Sequence, residues 1–440
     1  MPTIERWRMV ENNLKTGTPA TLKTELSAVR ERIAAAKQRG RRDGFIGYYG
    51  CIHVTREFLE ILDDAGKATE RGEYTLAYSV AALILVNLAK LASSADDSAG
   101  GITDARYYVR DVLEKVCSGV EYGSKEAEYI FTQSIKDSRN KAFDGWREFP
   151  YDILLKTARL ATKDNKNKMY EAVKDLHTEI RKESYSSWAD EYDALAKLEI
   201  IKATGSSADT ADFINANLKY NAVRRVAVNN AIASAHYDLA EKLCRDKLDA
   251  KENLYEHSRP SEWRYLLFEI YDKSGNTEKK IQMAEDLLFR VDMRYYGILK
   301  QLLIEKGVWS SSYPALLERL GKRLPYHIFM KLLSDEGETQ RLLEKVREYP
   351  SEVFEYGKQL AGEWPAEIYE ICLGEIRRQG EEANNLIKYK KVCGAIKKLS
   401  GFGGVSEAES IIAELKSKYQ RRPTMQKELD ALSAKLRKRE

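Results

Sequence analysis

The stretch "YTLAYSVAALILVNLAKLASSADDSAGGITDARYY" (Tyr74–Tyr108) decides how the chain is read. Its first half is an apolar run with no charge between Glu73 and Lys90. Its second half holds two adjacent aspartates, small residues and a glycine pair, the raw material of a metal loop. Each half admits two readings. The apolar run includes Thr75, Ser79 and Asn87 and falls short of the ~20 apolar residues that a membrane span needs. It therefore predicts a helix buried on nearly all sides in a protein core, and no membrane partner. A calcium loop needs oxygen ligands at fixed steps and a bidentate Glu at its twelfth position. Counted from Asp96 or Asp97 that position is Tyr107 or Tyr108, and neither closes a site. The loop is predicted to be a polar connection, with Thr103 as N-cap of the next helix and Gly100 and Gly101 in the left-handed geometry of a helix exit. Asp96 and Asp97 stay in view as a polar contact for a partner.

The composition points the same way. The chain has 440 residues, 43% apolar and 32% charged, with only nine prolines and 26 glycines. Few breakers among many Ala, Leu, Glu, Lys and Arg favour helices, and no stretch shows clear strand alternation. Helices are predicted at 20–37, 74–92, 125–138, 151–162, 166–182 and 186–203, and "QRGRRDGFIGYYG" (Gln38–Gly50) breaks the pattern between the first helix and the next. "TGSSADT" (Thr204–Thr210) reads as a linker. It sets a division into an N-terminal helical domain, 1–203, and a C-terminal helical-repeat domain, 204–440, continuous with the first.

The second half carries a repeat. Ala240 is followed by Leu243, Cys244 and Leu248; Ala284 by Leu287, Leu288 and Val291; Tyr326 by Phe329, Met330 and Leu333. Ile368 is followed by Ile371, Cys372 and Ile376, and Ala408 by Ile411, Ile412 and Leu415. Each set is one face of a helix. The anchors stand 44, 42, 42 and 40 residues apart, with turn formers such as "DKSGNTEKK" and "GFGGVSEAE" upstream. A unit of about 42 residues cannot bury its apolar face alone, so stacking predicts an all-α solenoid of helical hairpins, TPR-like or HEAT-like with irregular repeats.

No pattern of catalytic or metal-ligating residues emerges. The cysteines Cys51, Cys117, Cys244, Cys372 and Cys393 are far apart, odd in number and without a C-x-x-C pair, which fits a reducing cytosol better than a disulfide framework. Cys51 and His53 lack a companion Cys pair for zinc. "GFGG" (Gly401–Gly404) has no Lys-Ser/Thr after it and no strand before it, so it reads as a turn and not a phosphate loop. "MPTIERWRMVENNLK" (Met1–Lys15) lacks the apolar core of a secretion signal. Metal, cofactor and catalytic residues are therefore expected to be absent. Net charge is +4, unevenly spread: residues 376–440 hold 16 Lys or Arg against eight Asp or Glu. That end, with Arg421 and Arg422 in "KSKYQRRP" and the closing "KLRKRE", is the part that could meet nucleic acid.

Three segments together are unusual: "HVTREFLEILDDAGKATERGEYTLAYSVAALILVNLAKLASSADDSAGGI" (His53–Ile102), "AFDGWREFPYDILLKTARLA" (Ala142–Ala161) and "EAESIIAELKSKYQRRPTMQKELDAL" (Glu407–Leu432). In that order they resemble the helical region that follows the zinc finger in bacterial SWIM zinc-finger proteins. The finger's own C-x-C pair with a later C-x-H is missing here, so its zinc and nucleic-acid role do not transfer. What the resemblance implies is a stack of helical repeats. The expectation is a cytoplasmic, non-catalytic scaffold for another protein, with Arg421, Arg422, Asp96 and Asp97 as partner-binding residues. A nucleic-acid-associated protein acting through residues 376–440 and a helical enzyme without a recognisable motif are the alternatives.

Overall fold

The computed structural model describes residues 19–183, 188–249 and 261–437. The leading segment 1–15, His257 and the last residues of "KLRKRE" lie outside them. The fold is all-α. The chain forms two compact units, Met1–Lys251 and Glu252–Glu440.

The first unit is built around the apolar run. Helices α1 (Pro19–Gly40) and α2 (Tyr48–Glu70) are followed by α3 (Tyr74–Ala92), α4 (Gly101–Gly119), α5 (Lys125–Asp137) and α6 (Glu148–Thr157). Helix α3 packs against α1, α2, α4, α5 and α6. Its Ala77, Tyr78, Val80, Ala81, Ala82, Ile84, Leu85, Leu88, Ala89 and Leu91 are buried. It is long and apolar enough to cross a membrane by composition, yet here its apolar surface faces protein. The polar residues within it are matched. Thr75 donates from both its N–H and its hydroxyl to Glu126 at 2.8 Å. Asn87 accepts from Lys37 Nζ at 2.8 Å and donates to Leu83 O. Satisfied polar groups are what burial requires.

Helices α7 (Lys166–Glu183), α8 (Trp188–Thr204), α9 (Ser207–Ala216), α10 (Asn221–Ala233) and α11 (Tyr237–Asp249) complete the unit. No division falls at 203/204. Helices α9 and α10 both pack on α8, and Ile214 and Val223 join Ala194 and Leu198 in one cluster. The stretch read as a linker is instead a helix start. Ser206 accepts from the Asp209 N–H while the Asp209 carboxylate accepts from the Ser206 N–H, a reciprocal capping box.

A buried ion cluster ties α4 to α6. Asp152 is buried and meets Arg106, while Arg110 Nε lies 3.3 Å from its other oxygen. Arg106 also sits over the Phe149 ring, 4.7 Å from its centre. Burial works most strongly against the charge on Arg106, but the hydrogen bond to Asp152 and the charges of Asp152 and Glu148 together outweigh it and hold the guanidinium above its ordinary range.

The second unit runs through α12 (Glu262–Lys273), α13 (Thr277–Phe289), α14 (Arg294–Glu305), α15 (Trp309–Arg323), α16 (Tyr326–Asp335), α17 (Thr339–Glu348), α18 (Val353–Leu360), α19 (Pro365–Glu382), α20 (Leu386–Gly401), α21 (Val405–Lys418) and α22 (Pro423–Arg437). Each helix packs on the next, and from α18 onward also on the next but one. That short-range pattern along the chain is the one a solenoid of stacked hairpins makes. The anchors read from sequence fall on helices α11, α13, α16, α19 and α21, and most of their stripe residues are buried. The 42-residue spacing spans three helices in the middle of the unit and two at its end.

A different regularity lies in the backbone. Among the described residues, seven helices end in the same left-handed turn, a Schellman closure. Its long bond runs from Glu73 N to Ala68 O, His236 N to Ala231 O, Asn276 N to Tyr271 O and Asp292 N to Leu287 O. It recurs from Val308 N to Leu303 O, Glu338 N to Leu333 O and Gly404 N to Leu399 O. The residue with positive φ is Gly72, Ala235, Gly275, Val291, Gly307, Gly337 and Gly403 in turn. Gly275, Gly307 and Gly337 stand 32 and 30 residues apart. At six of the seven the next helix begins immediately after the residue that closed the last. Val291, expected on a buried face, is past the end of α13 at φ +68° and is exposed. Tyr326, the anchor of its set, is also exposed.

A β-branched residue in the left-handed region is strained by about 1 kcal/mol, and glycine relieves it. Val291→Gly is expected to stabilise the protein by about 1 kcal/mol, and Gly307→Ala to destabilise it by about the same, both read from urea denaturation. Removing Asp152 takes its carboxylate from two guanidiniums at once. Asp152→Ala is expected to lower stability by about 3 kcal/mol, with Arg110→Ala, whose side chain is closer to solvent, costing less in the same assay.

Candidate functional site

Two segments that the sequence kept apart meet at one end of α2. "RGRRDGFIGYYG" (Arg39–Gly50) interrupts the helices because it turns back on itself. Arg41–Arg42 and Phe45–Ile46 pair antiparallel, with Arg41 opposite Ile46 and Arg42 opposite Phe45. Asp43 and Gly44 form the turn at φ +50° and +84°. Two successive positive φ values are what a two-residue hairpin turn demands, and Asp-Gly supplies them. This small ribbon departs from the expectation of no strands. Its signal was present in the sequence as an Asp-Gly pair flanked by Arg-Arg and Phe-Ile.

The ribbon is fixed at both sides. A Cβ on Gly40 would stand 2.9 Å from Gly50 O, so the two backbones touch only because both residues are glycine. Ile46 is buried and bridges to the acidic loop: its N–H donates to Ser94 O at 3.2 Å and its carbonyl accepts from Asp96 N–H at 2.9 Å. Ala95 is its parallel partner.

The loop 93–100 is therefore a strut. Asp97 Oδ1 accepts from Ile102 N–H at 3.0 Å, satisfying one of the free donors at the start of α4. The Cys51 thiol points at the same oxygen, 3.7 Å away. Asp96 Oδ1 accepts from the N–H of Ser98 at 3.0 Å and from its hydroxyl. The helix begins at Gly101 and not beyond Thr103, because Asp97 does the capping from outside. Of the two glycines only Gly100 has positive φ, and it opens α4 rather than closing α3. Gly101 is needed for a second reason: a side chain there would overlap Thr55.

The outer surface of the ribbon is basic and aromatic. Arg41, Arg42 and Phe45 are exposed. Tyr48 and Tyr49 pack edge to face, with 77% of Tyr49 exposed. Neither Arg41 nor Arg42 has an ion pair among the described residues. Lys37, at the end of α1, donates to Asn87 and feels the charge of Arg41. Burial, then the like charges of Lys90 and Arg41, push its amine down to about 8.

The other sequence candidates are placed as follows. His53 is exposed while Cys51 is buried, so the two do not converge. Burial and the nearby Asp97 and Asp96 raise the Cys51 thiol to about 11. Burial raises Cys117 and Cys372 to about 12. No three His, Cys, Asp or Glu side chains gather into a metal-ligating group among the described residues. Arg422 donates to Gly380 O and Ala383 O at 2.9 and 2.8 Å, closing the end of α19, and lies over Tyr419. Lys418 pairs with Glu381, Lys416 with Asp430, and Arg377 with Glu414. Arg421 is exposed.

No family model matches the chain, and no curated protein matches it. Among solved structures, a chain described as a "Circular tandem repeat protein with novel repeat topology and enhanced subunit contact surfaces" aligns over 96% of this chain and 98% of its own, at 14% identity and a TM-score of 0.19. At that score the likeness carries no argument about this chain.

The state of Lys37 is measurable. Its depressed value means that the folded protein binds fewer protons than the unfolded one between about 8 and the ordinary 10.5. Stability should therefore rise with pH through that window. Lys37→Met is expected to be more stable than the native protein at pH 7 and to show a shallower rise toward pH 10, measured by urea denaturation at both values.

Proposed function

We propose that this protein is a non-catalytic helical-repeat scaffold that binds another protein. One observation carries the reading: helices of the second unit stack in chain order, spending their apolar faces on neighbours and offering a series of outer faces to a partner. One open groove in the first unit is mixed in charge, lined by Arg32, Arg56, Glu60, Asp63, Lys67 and Tyr108. The thiols of Cys51, Cys117 and Cys372 are held protonated, which suits packing and not nucleophilic chemistry.

A few buried anchors, enriched in Trp, Tyr and Arg, carry most binding energy in protein interfaces, and exposed apolar side chains add buried area around them. In the second unit Tyr326 and Tyr349 stack with ring centres 4.3 Å apart, and Leu386 and Ile387 stand exposed at the start of α20. Affinity capture with the full chain as bait, with and without nuclease, tests the proposal. The expected result is one protein retained in stoichiometric amount despite nuclease, then rebound when both are purified. Ile387→Asp or Tyr326→Ala should weaken that complex without altering the circular dichroism of the bait. Retention only while nucleic acid is intact would overturn the reading.

A further inference from the structure

We propose that the ribbon Arg41–Ile46 with Tyr48 and Tyr49 is a contact site for single-stranded nucleic acid. Three features of the ribbon combine here. The first is free charge. Arg41 and Arg42 are exposed guanidiniums with no carboxylate partner among the described residues, on a protein whose other arginines are commonly paired. Arg39, at the root of the ribbon, reaches only to 3.5 Å from Glu57.

The second is free aromatic surface. The sequence doubles tyrosine three times. At Tyr107–Tyr108 and Tyr295–Tyr296 a helix turns one ring toward its neighbours. At Tyr48–Tyr49 both rings stay exposed, beside an exposed Phe45. Among the described residues none of these three rings joins the buried core of the first unit. Planar rings in a basic setting are platforms on which unpaired bases stack, while the guanidiniums hold the backbone.

The third is rigidity. The Gly40–Gly50 approach and the Ile46–Ala95 bridge hold the ribbon against α2 and the acidic loop. Arg42 and Phe45 are directly opposite in the ladder and so share a face. Charge and ring are thus presented together, with little left to order on binding. Of the carboxylates nearby, Asp96 accepts from Ser98 and Asp97 from Ile102, while Asp43 at the turn is exposed. An acidic peptide would satisfy the guanidiniums but leave three ring faces in water. A duplex keeps its base faces stacked inside and offers nothing to the rings.

The test is fluorescence anisotropy of a labelled single-stranded oligothymidylate with the full chain, titrated at several salt concentrations. Binding is expected to weaken with salt. Phe45→Ala and Tyr49→Ala are each expected to weaken it by roughly 5- to 100-fold, the range of one lost base stack. Arg41→Ala with Arg42→Ala should make the slope of log K against log salt shallower by about 1.4, for two phosphate contacts. Arg421→Ala should change neither. Circular dichroism of each variant verifies the fold, which these exposed positions leave intact. The proposal is overturned if the folded native chain fails to bind at low salt. Equal binding of poly-glutamate or of duplex, with the ring variants unaffected, overturns it as well, as does loss of binding in Arg421→Ala alone.

Discussion

Every helix leaves its last carbonyls without partners, and a chain of stacked short helices meets that difficulty at each turn. The recurring answer here is a single residue in the left-handed region. It lets two N–H groups fold back onto the helix they have just left, as Gly307 N–H to Ile304 O and Val308 N–H to Leu303 O do. The connection is then so short that the next helix must run back along the previous one. Hairpin geometry is thus set by the backbone, and apolar side chains only have to fill the space between. That division of labour explains why Leu, Ile, Met, Phe, Cys and Ala share the same buried positions across α13, α16, α19 and α21.

The architecture was legible where side-chain pattern and backbone agreed. The apolar run 74–92 matches its helix end to end, and the stripes from Ala284 to Leu415 fall on buried helix faces, save Val291, Tyr326 and the half-buried Ile371. The period was less legible. Apolar triplets mark any buried helix, so their spacing counted helices of unequal length. The turn glycines, which mark the hairpin itself, are spaced more closely. Two of the seven turns use Ala235 and Val291, which no search for glycine would find. The stretch 204–210 was less legible for a related reason: a run of small polar residues looks like a linker, yet Ser206 and Asp209 are a helix-capping pair.

The region around α2 was legible in parts but not as a whole. Asp96 and Asp97 stood out as polar residues in a loop, and "RGRRDG" stood out as basic. That the two segments pair is a consequence of tertiary structure, since more than forty residues separate Ile46 from Ala95. The same distance hid the purpose of Asp97, which caps α4 while receiving the Cys51 thiol. Arg422 shows the converse. Charge alone marks it as available, while the structure gives its guanidinium to two carbonyls at the end of α19.

The deeply placed thiols have one more implication. Cys51 and Cys117 sit in the first unit and Cys372 in the second, each buried and far from the thiolate form that reagents attack. An alkylating agent reaches them only when the surrounding helices part, so the speed of labelling at each sulfur is a clock for the opening of its own layer. The protein carries native chronometers in both halves, and a peptide map of the labelled cysteines would tell which half breathes first.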